Sequence, residues 1–131
     1  KFGSVLVDRR SDQSRRKSYE EMKSILAVGL DMLIYPEGTR NRTGDPLKSF
    51  YDGAFRLAVD TQKRILPTIL FNSKNILPPN PSFCLMPGKI EMHFLPPVSV
   101  EGKTSKEVKE EVFELMWNYC AKNQQLLEGR I

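Results

Sequence analysis

The chain has 131 residues, 40% of them apolar and 27% charged, the balance of one globular domain rather than of a disordered chain. No stretch approaches the ~20 apolar residues of a membrane-spanning helix, and the N-terminus lacks the apolar core of a secretory signal. The net charge of +4 is carried by residues 1–18, which hold six basic and two acidic residues; the remainder holds 14 of each. Such a cluster meets phosphate on nucleic acid, on a lipid headgroup or on a cofactor, or is a solvated basic loop.

Gly3–Asp8 is predicted to be a short buried strand, because Val5, Leu6 and Val7 form a brief unbroken apolar run. Arg9 to Lys17 is polar and reads as a basic loop. Ser18 and Glu21 have the spacing of a capping box, which predicts a helix starting there, with Met22, Ile25 and Leu26 on one face and Gly29 as its stop. Met32–Tyr35 is predicted as a second buried strand ended by Pro36, followed by a turn to residue 46. A helix is expected from Asp52 or Gly53 to about Lys63, then a third strand over Ile65–Phe71, where Pro67 marks an end, edge or bulge. Residues 72–87 are Pro-rich and read as a long irregular loop. Ile90, Met92 and Phe94 alternate with Glu91 and His93, which predicts a fourth strand with its polar side wet. Thr104 and Glu107 form a second capping box, opening a helix whose apolar stripe is Val108, Val112, Leu115, Met116 and Tyr119.

Alternating strands and helices imply an α/β fold, a mainly parallel (mixed) sheet flanked by helices. A buried strand beginning at residue 3 further suggests that the domain's front is missing. Cys84 and Cys120, 36 residues apart and without metal-ligand spacing, read as free thiols in a reducing compartment, Cys120 as part of the core.

The densest polar cluster is Glu37-Gly38-Thr39-Arg40-Asn41-Arg42, directly after the second predicted strand, and ligands of open α/β sheets bind beyond the carboxyl ends of strands. Gly38 permits a tight turn, Thr39 offers a hydroxyl, and Arg40 and Arg42 can grip a phosphate with paired donors. Glu37 can orient an arginine or touch a substrate hydroxyl. The alternative is a turn stitched by a Glu–Arg ion pair. Asp8-Arg9-Arg10 ends the first predicted strand, and neighbouring parallel strands would bring Arg9 beside Arg40. His93, the only histidine, has no Ser, Cys or Asp suited to a triad and reads as a surface residue. No Walker loop or dinucleotide fingerprint is present.

Tyr35-Pro36-Glu37-Gly38-Thr39-Arg40-Asn41-Arg42 resembles the Phe-Pro-Glu-Gly-Thr-Arg-Ser-Arg block of the PlsC-type glycerolipid acyltransferases, the 1-acyl-glycerol-3-phosphate acyltransferases. Gly3–Arg9 is similar to that family's preceding block, Phe50–Ala58 to its Phe-Lys-x-Gly-Ala-Phe helix start, and Ile65–Ile69 to its last block. The resemblance is strong over residues 3–71. It departs from the family in lacking the His-x-x-x-x-Asp motif, and in having Tyr51 where many members carry lysine, a place Lys48 can fill only weakly.

The resemblance implies a glycerol-3-phosphate acyltransferase-like fold, with residues 1–131 forming a single partial acyltransferase domain. It also implies an activity for the parent protein: transfer of a fatty acyl group from acyl-CoA or acyl carrier protein to lysophosphatidate, making phosphatidate in phospholipid biosynthesis. In the family the histidine of the absent motif is the general base and its aspartate orients it. Catalytic residues are therefore expected upstream of Lys1 and the isolated chain is expected to be inert. This chain would supply the phosphate-binding part, with Arg9, Glu37, Gly38, Thr39, Arg40 and Arg42 as substrate-binding residues and no metal or cofactor. The parent is expected at the cytoplasmic face of a membrane, with no nucleic-acid partner, and the fragment is expected to self-associate through uncovered sheet surface. Three alternatives stay open: an acyltransferase for glycerol 3-phosphate or a lysophospholipid, a nucleic-acid or anionic-surface module using residues 9–17, and a non-catalytic interaction domain.

Overall fold

The computed structural model describes residues 11–78 and 85–123. Helix α1 (Asp12–Ala27) packs on α2 (Gly53–Thr61), and α2 packs on α4 (Ser105–Lys122). Between the last two lie strand β1 (Thr68–Phe71), a four-residue helix α3 (Ser73–Ile76) and strand β2 (Glu91–Phe94). The two strands pair antiparallel, Thr68 opposite Phe94 and Phe71 opposite Glu91, and a single bridge joins Ile65 to Val98. Among the described residues the fold is therefore helices with a small two-stranded antiparallel sheet, and no parallel strand pair is formed among them. The first predicted strand lies outside the described residues. Met32–Tyr35, predicted as its buried neighbour, is not a strand: it enters no ladder among the described residues, and Leu33 and Tyr35 are exposed. An apolar run becomes a strand only when a partner satisfies its backbone.

Helix α1 begins about two turns before the predicted capping box. Ser11 is its cap, accepting from the Ser14 amide at 3.3 Å, and Asp12 adds acidic charge to the first turn beside its partner Arg15. The basic stretch 12–17 is therefore helical, and Ser18 lies buried within the helix. The stop is as expected: Gly29 takes φ 85° and its amide bonds back to Leu26. Tyr19 donates to Asp60 at 2.7 Å while Arg56 lies over its ring, tying α1 to α2. Partial burial, then the bond and charge of Asp60, push the Tyr19 phenol up to about 12. β1 starts immediately after Pro67, whose carbonyl accepts from Leu95 at 2.9 Å, so the proline marks the strand's beginning. Part of the predicted loop over residues 72–87 is instead α3, held by the Asn72 amide group donating to the Lys89 carbonyl at 2.7 Å.

β2 inverts the expected faces. Directly opposed residues share a face, so Glu91 and His93 stand with Phe71 and Ile69, the side that packs on α4. His93 is half-buried rather than a surface residue. Its Nδ1 lies 2.9 Å from the Tyr119 hydroxyl, its Nε2 3.1 Å from a Glu91 oxygen, and its ring meets Phe71 edge-on at 4.8 Å. Lys89 then pairs with Glu91 at 2.9 Å. The hydrogen bond from Lys89, followed by that from His93, holds the Glu91 carboxyl below the usual range. A polar set satisfied within itself can occupy an inner face, and Ile90, Met92 and Phe94 are left exposed on the other.

The core gathers Phe50 and Phe55, Ile69 and Phe71, Leu95, Val98 and Val100, and the α4 stripe Val108, Val112, Met116 and Cys120. α4 starts where its capping box predicts. Glu107 accepts from the Thr104 amide at 2.7 Å, and the Glu107 amide donates to the Thr104 hydroxyl at 3.3 Å. The bond from the Thr104 amide, then that from its hydroxyl, lowers the Glu107 pKa.

His93→Ala is expected to lower stability by about 1–2 kcal/mol, since it strips a partner from both Tyr119 and Glu91; a urea titration, midpoint shifted at constant slope, measures it. The Glu107 contribution has the sign of a depressed carboxylate: it is complete above the unfolded-state pKa and fades as pH falls through the lower native one. Thr104→Ala, which removes the hydroxyl but keeps the amide, should flatten that acid limb in part, and Glu107→Gln should abolish the Glu107 contribution to it, when urea midpoints are compared across the acid range.

Candidate functional site: the Tyr35–Arg42 loop

The loop is built between two anchored arms. On the outgoing arm the Gly38 amide bonds to the Tyr35 carbonyl at 3.1 Å, closing a turn in which Gly38 takes φ 69°, a conformation natural to glycine. On the returning arm Leu47 and Phe50 are buried in the core, and Phe50 packs against Phe55 and Phe113. Two bonds from backbone amides join the arms, the Tyr51 amide to the Pro36 carbonyl and the Lys48 amide to Glu37 Oε2, both 2.9 Å, and the Lys48 ammonium adds a third to the Thr39 hydroxyl. The tip is an Asx turn. Asn41 Oδ1 accepts from the Thr43 amide and hydroxyl, its side-chain amide donates to the Asp45 carbonyl, and Lys74 reaches the Thr43 carbonyl at 3.2 Å.

Glu37 therefore does not pair with an arginine. Its half-buried carboxylate serves the Lys48 amide, and the Glu–Arg stitched turn is not formed. Its charge also reaches Cys120: burial first, then Glu37, pushes that thiol up to about 11, which suits an inert core cysteine. Arg40 and Arg42 are exposed and make no ion pair or hydrogen bond among the described residues. The loop thus gathers Glu37, Gly38, Thr39, Arg40 and Arg42 on one frame and leaves two guanidinium groups with free donors. Arg9 and Cys84 lie outside the described residues. Sequence reasoning undervalued Lys48, whose ammonium donates to the Thr39 hydroxyl at 3.0 Å, and missed Lys74, which no short-range signal connects to the loop.

His93 is not placed to act as a base, because both ring nitrogens are engaged. No group of three or more His, Cys, Asp or Glu among the described residues is set to hold a metal. No described helix is long and apolar enough to cross a membrane. Two open grooves lie elsewhere, one of about 310 Å³ lined by Lys23, Ser24, Ala27, Thr61 and Lys63, the other of about 260 Å³ beside Phe113 and Trp117.

A family model described as Acyltransferase matches residues 1–70, more than half of the chain and the whole of this loop. The chain belongs to the acyltransferase family. It is similar to the 1-acyl-sn-glycerol-3-phosphate acyltransferase alpha of Mus musculus, 33% identical over 107 residues, covering 81% of this chain and 37% of the relative. The 1-acyl-sn-glycerol-3-phosphate acyltransferase of Borreliella burgdorferi is 36% identical over 74 residues, 56% of this chain and 29% of its own length. The alpha protein of Homo sapiens is 30% identical over 112 residues, with 81% and 37% covered. This acyltransferase chain thus spans about a third of the length of these relatives. No solved structure matches it.

Glu37→Ala should leave the Lys48 amide without its acceptor and cost about 1–3 kcal/mol, whereas Glu37→Gln keeps an acceptor and should cost less. Hydrogen exchange at the Lys48 amide reads the difference directly, with protection falling in the alanine variant and largely kept in the glutamine one.

Proposed function

We propose that this chain is the acceptor-phosphate part of a 1-acyl-sn-glycerol-3-phosphate acyltransferase. In the proposed reaction the free hydroxyl of lysophosphatidate attacks the thioester carbonyl of acyl-CoA or acylated carrier protein. The new C–O ester bond forms, the C–S bond breaks, the thiol leaves, and the hydroxyl proton passes to a general base. Phosphatidate is the product. The observation that carries this reading is the exposed Arg40, unpaired among the described residues, on a loop whose Glu37 carboxylate is taken up by a backbone amide. A guanidinium so presented can hold a phosphomonoester with two parallel donors. In this reading Gly38 shapes the turn, its amide being bonded to the Tyr35 carbonyl, while Thr39 presents a hydroxyl to the same phosphate, Arg42 assists, and Arg9 joins the clamp beside Arg40. Since the acceptor is a lipid, the parent protein would work at a membrane surface, its cytoplasmic face. The fold would then be the mixed α/β sheet of that family.

The chain has no His-x-x-x-x-Asp sequence, and His93 is engaged at both nitrogens. The base of the proposed transfer is therefore not among the described residues, and no bound cofactor is needed for the step.

Two outcomes are expected. Incubated with acyl-CoA and lysophosphatidate, this chain alone should show no turnover above background; turnover abolished by His93→Ala would overturn the assignment of His93. Binding to lysophosphatidate in detergent micelles should exceed binding to monoacylglycerol in the same micelles. Arg40→Ala should reduce that preference by roughly tenfold or more, the loss of one charge-assisted contact, and Arg40→Lys should recover little. Equal binding of the two lipids by the unaltered chain would remove the phosphate-clamp reading.

A further inference from the structure

We propose that Lys48 is a third phosphate-binding cation of this loop, contributed by its returning arm and aimed by Thr39. The inference rests on the phosphate reading above and assigns a residue that reading does not use. Both ends of Lys48 are placed. Its amide is bonded to Glu37 at 2.9 Å and its ammonium to the Thr39 hydroxyl at 3.0 Å, so backbone and side chain each touch the outgoing arm. Among the described residues Lys23, Lys89, Lys103, Lys106 and Lys109 each pair with a carboxylate, while Lys17, Lys63, Lys74 and Lys122, like Lys48, do not; of these, Lys48 alone is fixed at both its amide and its ammonium within the Tyr35–Arg42 loop frame. Lys48 instead meets a neutral hydroxyl and no carboxylate within 4.0 Å among the described residues. The loop's acidic residues do not neutralise it: Glu37 spends Oε2 on the amide, and neither it nor Asp45 forms an ion pair among the described residues.

The donor arithmetic also points to an anion. An ammonium has three donors, and one goes to Thr39. A hydroxyl that accepts from an ammonium keeps its own proton free to donate to something else. Lys48 and Thr39 therefore offer three donors, next in the chain to Arg40. The chemistry that uses such a set is a phosphomonoester dianion, with three terminal oxygens accepting on several sides. The structure joins residues 11 apart in sequence, Glu37 and Lys48, to make the set.

The test compares the unaltered chain, Arg40→Ala, Lys48→Met and Lys48→Arg, each bound to lysophosphatidate or to monoacylglycerol in the same detergent micelles, with inorganic phosphate as a separate ligand. Hydrogen exchange at the Lys48 and Tyr51 amides reports whether the loop stays closed. That closure uses backbone donors, so a methionine side chain should leave it intact. The expected result is a loss of roughly tenfold or more for lysophosphatidate in Lys48→Met, unchanged monoacylglycerol binding, unchanged exchange, and substantial recovery in Lys48→Arg. Weaker binding of inorganic phosphate than of lysophosphatidate by the unaltered chain would place the ligand on a lipid headgroup; equal binding would make it free phosphate, held by the same cation. If Arg40→Ala loses affinity while Lys48→Met keeps it, the Lys48 assignment is overturned and the phosphate reading stands. If Lys48→Met loses affinity together with amide protection, Lys48 only holds the loop and the assignment is again overturned. Absence of any preference for the phosphorylated lipid in the unaltered chain would remove both readings.

Discussion

The carboxylate of Glu37 receives the backbone amide of Lys48, and the geometry of the acyltransferase loop depends on that closure. A carboxylate beside two arginines would ordinarily neutralise one of them. Here it is turned inward, half-buried, toward the arm that Leu47 and Phe50 carry back into the core. The negative charge thus closes the loop without cancelling the positive charge displayed on it. A backbone amide is a fixed donor with no side-chain entropy to lose, which makes it a better partner for this purpose than a mobile guanidinium.

The same economy of polar groups shapes the sheet. Glu91, His93 and Tyr119 satisfy one another on the side where β2 meets α4, with Lys89 completing the set. Once those groups are paired, the cost of turning them inward is small, and the aromatic edge of Phe71 closes over the imidazole. The consequence is an outward face of Ile90, Met92 and Phe94, and Leu33 and Tyr35, in a segment that joins no sheet among the described residues, are exposed as well. Exposed apolar surface of this kind favours association, which is the physical ground for the expectation that the chain self-associates.

Local signals in the sequence were reliable where their partners are also local. The Thr104 box, Gly29 as a stop and the helix opening at Gly53 are all present, because each is decided by contacts within about one turn of chain. The Ser18 box failed for a related reason: Ser11 offered a competing cap about two turns earlier, and the residues after it include the good helix formers Gln13, Arg15, Arg16 and Lys17 and the Asp12–Arg15 pair. The Glu37–Arg42 cluster was legible as chemistry from residue types alone, and its order beside the neighbouring blocks was enough to indicate the family.

What the sequence determined by itself is therefore the set of local elements, the family and the identity of the cationic loop. Tertiary structure alone decided pairing and facing. Alternation along residues 90–94 defines two faces but does not say which one meets a helix; the hydrogen bond between His93 and Tyr119, 26 residues apart, does. The apolar run 32–35 carries strand propensity, but a strand also needs a neighbour to receive its hydrogen bonds, and none is present among the described residues. Likewise no spacing rule connects Glu37 to the amide of Lys48 or Lys74 to the carbonyl of Thr43. Those bonds exist because Leu47 and Phe50 are drawn into a core whose other members lie up to seventy residues further along the chain.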